Sequence, residues 1–237
     1  MWKLKIAEGG PWLNTVNNHI GRQFWEFHPD AGTPEELAQV ERVREEFKKN
    51  RFRTKQSADL LMRMQLTKEN PYDPIPPPVK VNKIEEITED AITTTLRRAL
   101  SFFSSIQAHD GHWPAECAAG LTFLPPLVIV LYISGSLNAV FGPEHRKEVI
   151  RYIYNHQNED GGWGQHVEGP STMFGSAESY ITLRLLGEGP ADGEDNAVAR
   201  GRKWILDHGG VVGIPSWGKF WLTVFPSLQI LINYLHI

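Results

Sequence analysis

The spacing of apolar residues in this chain predicts helices of two kinds. Leu37, Val40, Val43 and Phe47 recur at three- and four-residue steps, which places them on one face of an α-helix. Thr33-Pro34-Glu35-Glu36 precedes them. Thr33 offers an N-cap oxygen, Pro34 has the φ of a first helical residue, and Glu36 closes a capping box. A second helical stretch runs from about Ser57 to Lys68, and the proline-rich Asn70–Pro78 follows as a semi-rigid polyproline linker. From Glu89 to Ile106 the residues Ile92, Leu96, Ala99, Phe103 and Ile106 share a face, with Arg97 and Arg98 turned outward. Glu144 to Gln157 is similar, with Pro143 at its first position and Val149, Ile150 and Ile153 as the expected buried set. Leu127 to Leu137 is apolar nearly all round, and Met173 to Leu186 also reads as more enclosed than the helix before it.

Half-wet helices therefore alternate with dry ones. An outer layer of helices around an inner layer buries both kinds, so the expected fold is all-α: an incomplete α/α barrel with concentric inner and outer helices, preceded by an N-terminal helical extension. The expected boundaries are 1–82 for the extension and linker, 83–225 for the partial barrel and 226–237 for a separate tail.

The barrel region repeats itself. Phe102, Gln107, Gly111 and Trp113 correspond to Tyr152, Gln157, Gly161 and Trp163, each fifty residues later, and Asp110 corresponds to Asp160. A period of this length accommodates two helices per repeat. A degenerate third copy starts at Arg200-Gly201-Arg202-Lys203-Trp204-Ile205, with His208-Gly209-Gly210 where glutamine stands in the others. In each full copy a helix ends at glutamine, glycine permits a tight turn, and tryptophan follows. The glutamine amide can pair with backbone groups at a helix end and lie against the indole. The expected role is a brace between helices, with no chemistry of its own.

Composition limits the remaining possibilities. Hydrophobic residues make up 41% and charged residues 22%, which fits a chain with a packed core and excludes a disordered tail. The net charge of −4 makes a general binder of nucleic-acid backbones a poor expectation. Cys117 is the single cysteine, so no internal disulfide is possible and a reducing, intracellular compartment is the simpler reading. No signal peptide and no transmembrane helix are expected: the opening has no apolar core segment, and the apolar run Phe123–Ile133 is shorter than a bilayer requires. The basic cluster Lys48, Lys49, Arg51, Arg53 and Lys55 reads as a solvated surface, with anionic lipid or a partner as the rival reading. His109 and His112 with Asp110 sit in a turn without a clear third ligand, so no metal is expected there. Asp192-Gly193-Glu194-Asp195 reads as a solvated loop.

The motifs Gln107-x3-Gly111-x-Trp113 and Gln157-x3-Gly161-x-Trp163 resemble the QW repeats of the triterpene cyclases. Asp110-Gly111-His112-Trp113-Pro114-Ala115-Glu116, Tyr154-Asn155-His156-Gln157 and Ile214-Pro215-Ser216-Trp217-Gly218-Lys219-Phe220-Trp221 resemble plant oxidosqualene cyclases, as does the opening Met1-Trp2-Lys3-Leu4-Lys5-Ile6. The resemblance covers residues 1 to about 225, and Pro114-Ala115-Glu116-Cys117-Ala118 leans toward the β-amyrin and lupeol synthase branch. It implies cyclisation of 2,3-oxidosqualene to a pentacyclic triterpene alcohol between two α/α barrels. A protonated aspartate in an Asp-Cys-Thr-Ala-Glu motif would open the epoxide, and aromatic faces would stabilise the carbocations. It implies no metal and no cofactor, Trp217 and Cys117 as substrate-cavity residues, and residence on the cytosolic face of the endoplasmic reticulum or on lipid droplets.

The sequence departs from that pattern in several places. It contains no Asp-Cys-Thr-Ala-Glu motif, so no catalytic residue is expected in this chain and it is expected to be inactive alone. The membrane-binding segment of the family is not found, and residues 226–237 do not resemble the family. Gly120-Leu121-Thr122-Phe123, Gln165 and Glu178 stand where relatives favour Pro-Leu-Phe-Phe, phenylalanine and leucine; these changes read as drift. Two alternatives stay open: a truncated, non-catalytic paralogue acting as a structural or interaction module, and a gene-model fragment.

Overall fold

The computed structural model describes residues 1–10, 13–55, 60–70, 75–82, 87–115 and 119–223, with backbone only for 221–223. The chain forms two compact units, one of residues 1–43 and 58–116, the other of residues 44–57 and 117–237. Among the described residues the fold is all-α apart from one two-stranded ribbon.

The first unit opens with that ribbon, β1 (Trp2–Ile6) antiparallel to β2 (Gln23–Phe27), with Leu4 opposite Trp25. The expected extension was helical, and the ribbon is an addition to it. Trp2, Leu4 and Ile6 point inward while Lys3 faces solvent, the two-residue alternation of a half-buried strand. The Gln65 side-chain amide pairs with the backbone of Leu4, accepting from its N–H at 2.7 Å and donating to its carbonyl at 2.8 Å. One side chain thus satisfies part of an exposed strand edge. Gln65 belongs to α2 (Leu60–Glu69), whose Met62 and Leu66 pack with Leu4, Ile6, Ile106 and Ala108.

Helix α1 (Pro34–Asn50) begins at the predicted capping box. The Glu36 amide donates to Thr33 Oγ1 at 3.3 Å, and the Thr33 amide donates to Glu36 Oε2 at 2.9 Å. Helix α3 (Glu89–Ser105) starts at Thr88, whose Oγ1 accepts from the Ala91 amide. The face of α3 expected to be buried is instead open: Ile92, Leu96 and Phe103 are each more than half exposed, and only Ile106 beyond its end is buried. The helix rests on its Arg98–Phe102–Ser105 side. The Arg98 guanidinium donates to the Pro76 carbonyl, Ser105 is buried, and Phe102 packs on the ribbon cluster. The amphipathic stripe identified the helix correctly but not the side it lies on.

In the second unit, α4 (Gly120–Ile133) runs through Pro125 and Pro126, and a short α5 (Leu137–Val140) follows. Helix α6 (Pro143–Asn155) carries Pro143 at its first position, as predicted, and buries Val149 and Ile153, with Ile150 partly covered. Helix α7 (Met173–Leu185) is buried on almost every side. It packs against α4, α6 and α8 (Ala197–Asp207). Helix α9 (Ser216–Thr223) follows a 3₁₀ turn at Val211–Gly213. The expectation of an enclosed helix therefore holds for α7. It fails for α4, where Leu121, Val128 and Ile129 are buried but Phe123 and Leu127 are about half exposed or more.

The basic stretch after Phe47 is used within this unit. Lys48 pairs with Glu194 at 2.7 Å and Lys55 donates to Asn158 Oδ1 at 3.1 Å, while Arg44, earlier in α1, pairs with Glu148 at 3.1 Å. Glu194 belongs to the acidic loop read as solvated, and Asp192 of that loop accepts from the Gly189 amide at 2.6 Å. Residues 226–237 lie outside the described residues.

Substituting Thr33 by alanine removes the cap of α1. We expect a loss of about 1 kcal/mol, read as a lowered midpoint in urea unfolding.

Candidate functional site

The two Gln–Trp turns have the same local geometry. Gln107 Nε2 donates to the Gly111 carbonyl at 2.8 Å, and Gln157 Nε2 donates to the Gly161 carbonyl at 2.7 Å. Trp113 Nε1 donates to the Phe103 carbonyl and Trp163 Nε1 to the Ile153 carbonyl, each at 2.8 Å and each ten residues back. Gly111 and Gly161 adopt φ of +93° and +94°, conformations that favour glycine.

The turns differ in what surrounds them. Trp113 is 48% exposed and Trp163 is completely buried. Around the second turn, Gln157 Nε2 also donates to the Ala197 carbonyl, and Arg200 Nη2 donates to Gln157 Oε1 at 2.9 Å. The Trp163 amide donates to Ser176 Oγ on α7 at 2.9 Å. Gly201 lies against the indole; a Cβ there would stand 2.5 Å from Cζ3. Asp160 accepts from Trp204 Nε1 at 3.0 Å and from Ser171 Oγ at 2.6 Å. Sequence reasoning missed Arg200, Ser176 and the Asp160–Trp204 bond. Gly201, in the middle of a helical pattern, was the available signal of a close approach. Tyr152 is partly buried in the core of this unit, where its hydroxyl crowds Gly120.

The His112–Asp110 turn is tied to the segment around Gly21 and Gln23. His112 Nδ1 lies 2.5 Å from Asp110 Oδ1 and His112 Nε2 lies 3.2 Å from Gln23 Oε1. Burial opposes ionisation of Asp110, but hydrogen bonds from the Gly21 amide and from His112 outweigh it and lower its pKa. Among the described residues no group of three or more His, Cys, Asp or Glu side chains could hold a metal ion.

The candidate site lies on α7. Seen down the helix at about 100° per residue, Phe174, Glu178 and Leu185 lie opposite Ser176, which faces Trp163. On that opposite side the Trp217 ring of α9 packs on Phe174, centroid to centroid 4.1 Å. Trp217 is 49% exposed, so half of the indole faces outward beside the pair. Cys117 lies outside the described residues. One turn from Phe174 stands Glu178, 0% exposed, with neither carboxyl oxygen hydrogen-bonded among the described residues. Burial raises its pKa to about 7, which keeps the carboxyl neutral in mildly acidic solution. Two further positions that depart from the resemblance meet at the start of this region: Thr122 Oγ1 donates to the Gln165 carbonyl at 2.6 Å.

Apolar helices packed around the enclosed α7, with the Phe174–Trp217 pair on one side of it, form an all-α domain. The sequence profile of the squalene-hopene cyclase N-terminal domain matches residues 96–230, and the chain belongs to that family, in the part that oxidosqualene cyclases carry toward their N-terminus. Alpha-onocerin synthase LCD of Lycopodium clavatum is 46% identical over 230 residues, which is 94% of this chain and 30% of that protein. Lanosterol synthase of Pneumocystis carinii is 46% identical over 129 residues, 54% of this chain and 17% of that protein. Cycloartenol synthase of Dictyostelium discoideum is 45% identical over 130 residues, 54% of this chain and 18% of that protein. The chain thus spans less than a third of the length of these relatives.

Two outcomes test this site. Below about pH 4.5 Glu178 is neutral in both folded and unfolded chains. Between that pH and about 7 only the unfolded chain releases the proton, so stability falls as pH rises through this window. Glu178→Leu should remove the fall, gaining about 3 kcal/mol at pH 8 and much less from relief of ionisation at pH 4.5; paired urea melts at the two pH values measure it. Gly201→Ala should cost about 1–3 kcal/mol by overpacking Trp163, read as a lower melting temperature with reduced near-ultraviolet tryptophan dichroism.

Proposed function

We propose that this chain forms part of the wall of an apolar substrate pocket in a triterpene cyclase. In that reading the whole protein converts 2,3-oxidosqualene to a cyclic triterpene alcohol by an acid-started carbocation cascade. Family membership and the names of the relatives support the reaction class. The observation that carries the pocket is the half-open Trp217 indole packed on Phe174, since an aromatic face is the group that stabilises a passing carbocation. The indole-to-carbonyl bonds of Trp113 and Trp163 are each proposed to brace the helices of their own unit, as parts of the Gln107–Gly111–Trp113 and Gln157–Gly161–Trp163 repeats with their aromatics Phe102 and Tyr152. Residues 83–225 are proposed as the barrel portion and residues 1–82 as its extension. Cys117 is proposed as a second wall residue.

The chain by itself is proposed not to start the cascade, because no Asp-Cys-Thr-Ala-Glu acid is among its 237 residues. Among the described residues no helix is long and apolar enough to cross a membrane; attachment to a membrane or lipid-droplet surface stays a proposal drawn from the family. The open apolar side of α3 favours a second reading, in which the chain is a non-catalytic module that joins a full-length cyclase.

Incubation of the purified chain with 2,3-oxidosqualene in detergent should give no cyclic triterpene by gas chromatography and mass spectrometry, while the labelled substrate is retained by the protein. Any cyclic alcohol overturns the proposed inactivity. Absence of retention overturns the pocket wall. Co-purification with a full-length cyclase, in place of substrate retention, favours the second reading.

A further inference from the structure

The first Gln–Trp turn holds a histidine set between two oxygens. His112 Nδ1 lies 2.5 Å from Asp110 Oδ1, and His112 Nε2 lies 3.2 Å from Gln23 Oε1. Gln23 heads β2, and its Nε2 donates to the Ala115 carbonyl at 3.2 Å. Asp110 Oδ2 accepts from the Gly21 amide at 2.9 Å. Residues 21–23 thus meet the turn through two side chains, all within the first unit. The cluster is largely enclosed, with the His112 side chain 20% exposed and that of Asp110 4%. The turn itself does not require this histidine, since the second Gln–Trp turn makes the same bonds with Gly162 in its place.

The acceptors around the ring assign its protons. An ionised carboxylate only accepts, and the bonds from the Gly21 amide and from His112 keep Asp110 ionised against the effect of burial. Gln23 turns its oxygen to His112, because the opposite amide orientation would set that oxygen against the Ala115 carbonyl, two acceptors with no proton between them. Both ring nitrogens therefore donate, and an imidazole that donates at both is the imidazolium. A neutral ring keeps one N–H. With that N–H on Asp110, the Gln23 amide either loses the ring or turns over and loses Ala115, so one bond is lost in each case. The other charged or titratable groups nearby point elsewhere. The Arg22 guanidinium donates to the Glu8 carbonyl and lies over the Phe24 ring, Lys5 pairs with Glu8 and Glu26, and His19 Nδ1 lies 3.1 Å from Thr15 Oγ1. His109 is exposed.

We propose that His112 is a pH-sensitive clasp: as the imidazolium it fastens the Gly21–Gln23 segment to the first Gln–Trp turn, and loss of one proton loosens that segment. Histidine exchanges its proton within the physiological range, so the clasp is closed in mildly acidic solution and opens as pH rises. Asp110 stays ionised across that range, so the bond from Gly21 alone cannot supply the response.

Amide hydrogen exchange of the full chain, corrected for the intrinsic rate at each pH, tests the clasp. The reporters are the Gly21 amide and the Ala7 amide, which donates to the Arg22 carbonyl at 3.0 Å. In the wild-type chain their protection should be about tenfold higher at about pH 5.5 than at about pH 8, the effect of one good hydrogen bond. His112→Gln, a neutral residue, should give equal protection at the two pH values. Gln23→Ala, which removes the second acceptor, should do the same, at the lower level. His19→Gln should leave the full response. Equal protection at both pH values in the wild-type chain overturns the inference and needs no variant to fold. A response that survives in folded His112→Gln or Gln23→Ala overturns it as well, as does its loss in His19→Gln; thermal melts confirm that each variant is folded.

Discussion

A helix that stops inside a protein leaves carbonyl groups without partners, and in this chain an indole and a carboxamide take that role. At the end of α6 the Trp163 indole takes the Ile153 carbonyl, and the Gln157 amide reaches both the Gly161 carbonyl of its own turn and the Ala197 carbonyl at the start of α8. The same residue pair therefore closes α6, and its glutamine also fixes the start of α8. The Trp163 amide adds α7 through Ser176. Three helices are held by one turn, and the bulk of Trp163 is accommodated because Gly201 offers no side chain against it. A buried tryptophan with its N–H satisfied contributes apolar contact without leaving a stranded donor.

The first turn, at Gln107–Trp113, has the same bonds at the same separations, yet its indole is half exposed. Local geometry and packing are thus separable. The bonds follow from the sequence of the turn; burial follows from what stands around it. In the first unit the turn is anchored instead through polar groups, with Asp110 accepting from the Gly21 amide and Asn70 donating to the Gln107 carbonyl.

Polar substitutions in the second unit do not share one fate. Thr122 and the backbone of Gln165 satisfy each other, so a hydroxyl at that position has a use. Glu178 has none among the described residues, and its enclosure costs stability once the unfolded carboxyl ionises. Reading all of these changes as drift treated them alike; the structure divides them by whether a hydrogen-bond partner is within reach. The basic residues after Phe47 likewise divide, with Lys48 and Lys55 engaged by Glu194 and Asn158.

The sequence by itself determined the elements whose cause is local. The Thr33–Glu36 capping box, Pro143 at the head of α6, each Gln–Gly–Trp turn and the buried character of α7 all depend on residues a few positions apart, and each is legible from spacing. Tertiary structure alone decided which side of an apolar helix is covered. Ile92 and Phe103 satisfy the helical period yet face outward, because periodicity states that a helix has an apolar side but not what lies against it. The β1–β2 ribbon was equally out of reach, since five alternating residues become a strand only when Gln65 and a distant partner strand supply the bonds. Glu178 is of the same kind: composition places a carboxyl in the helix, and only packing encloses it.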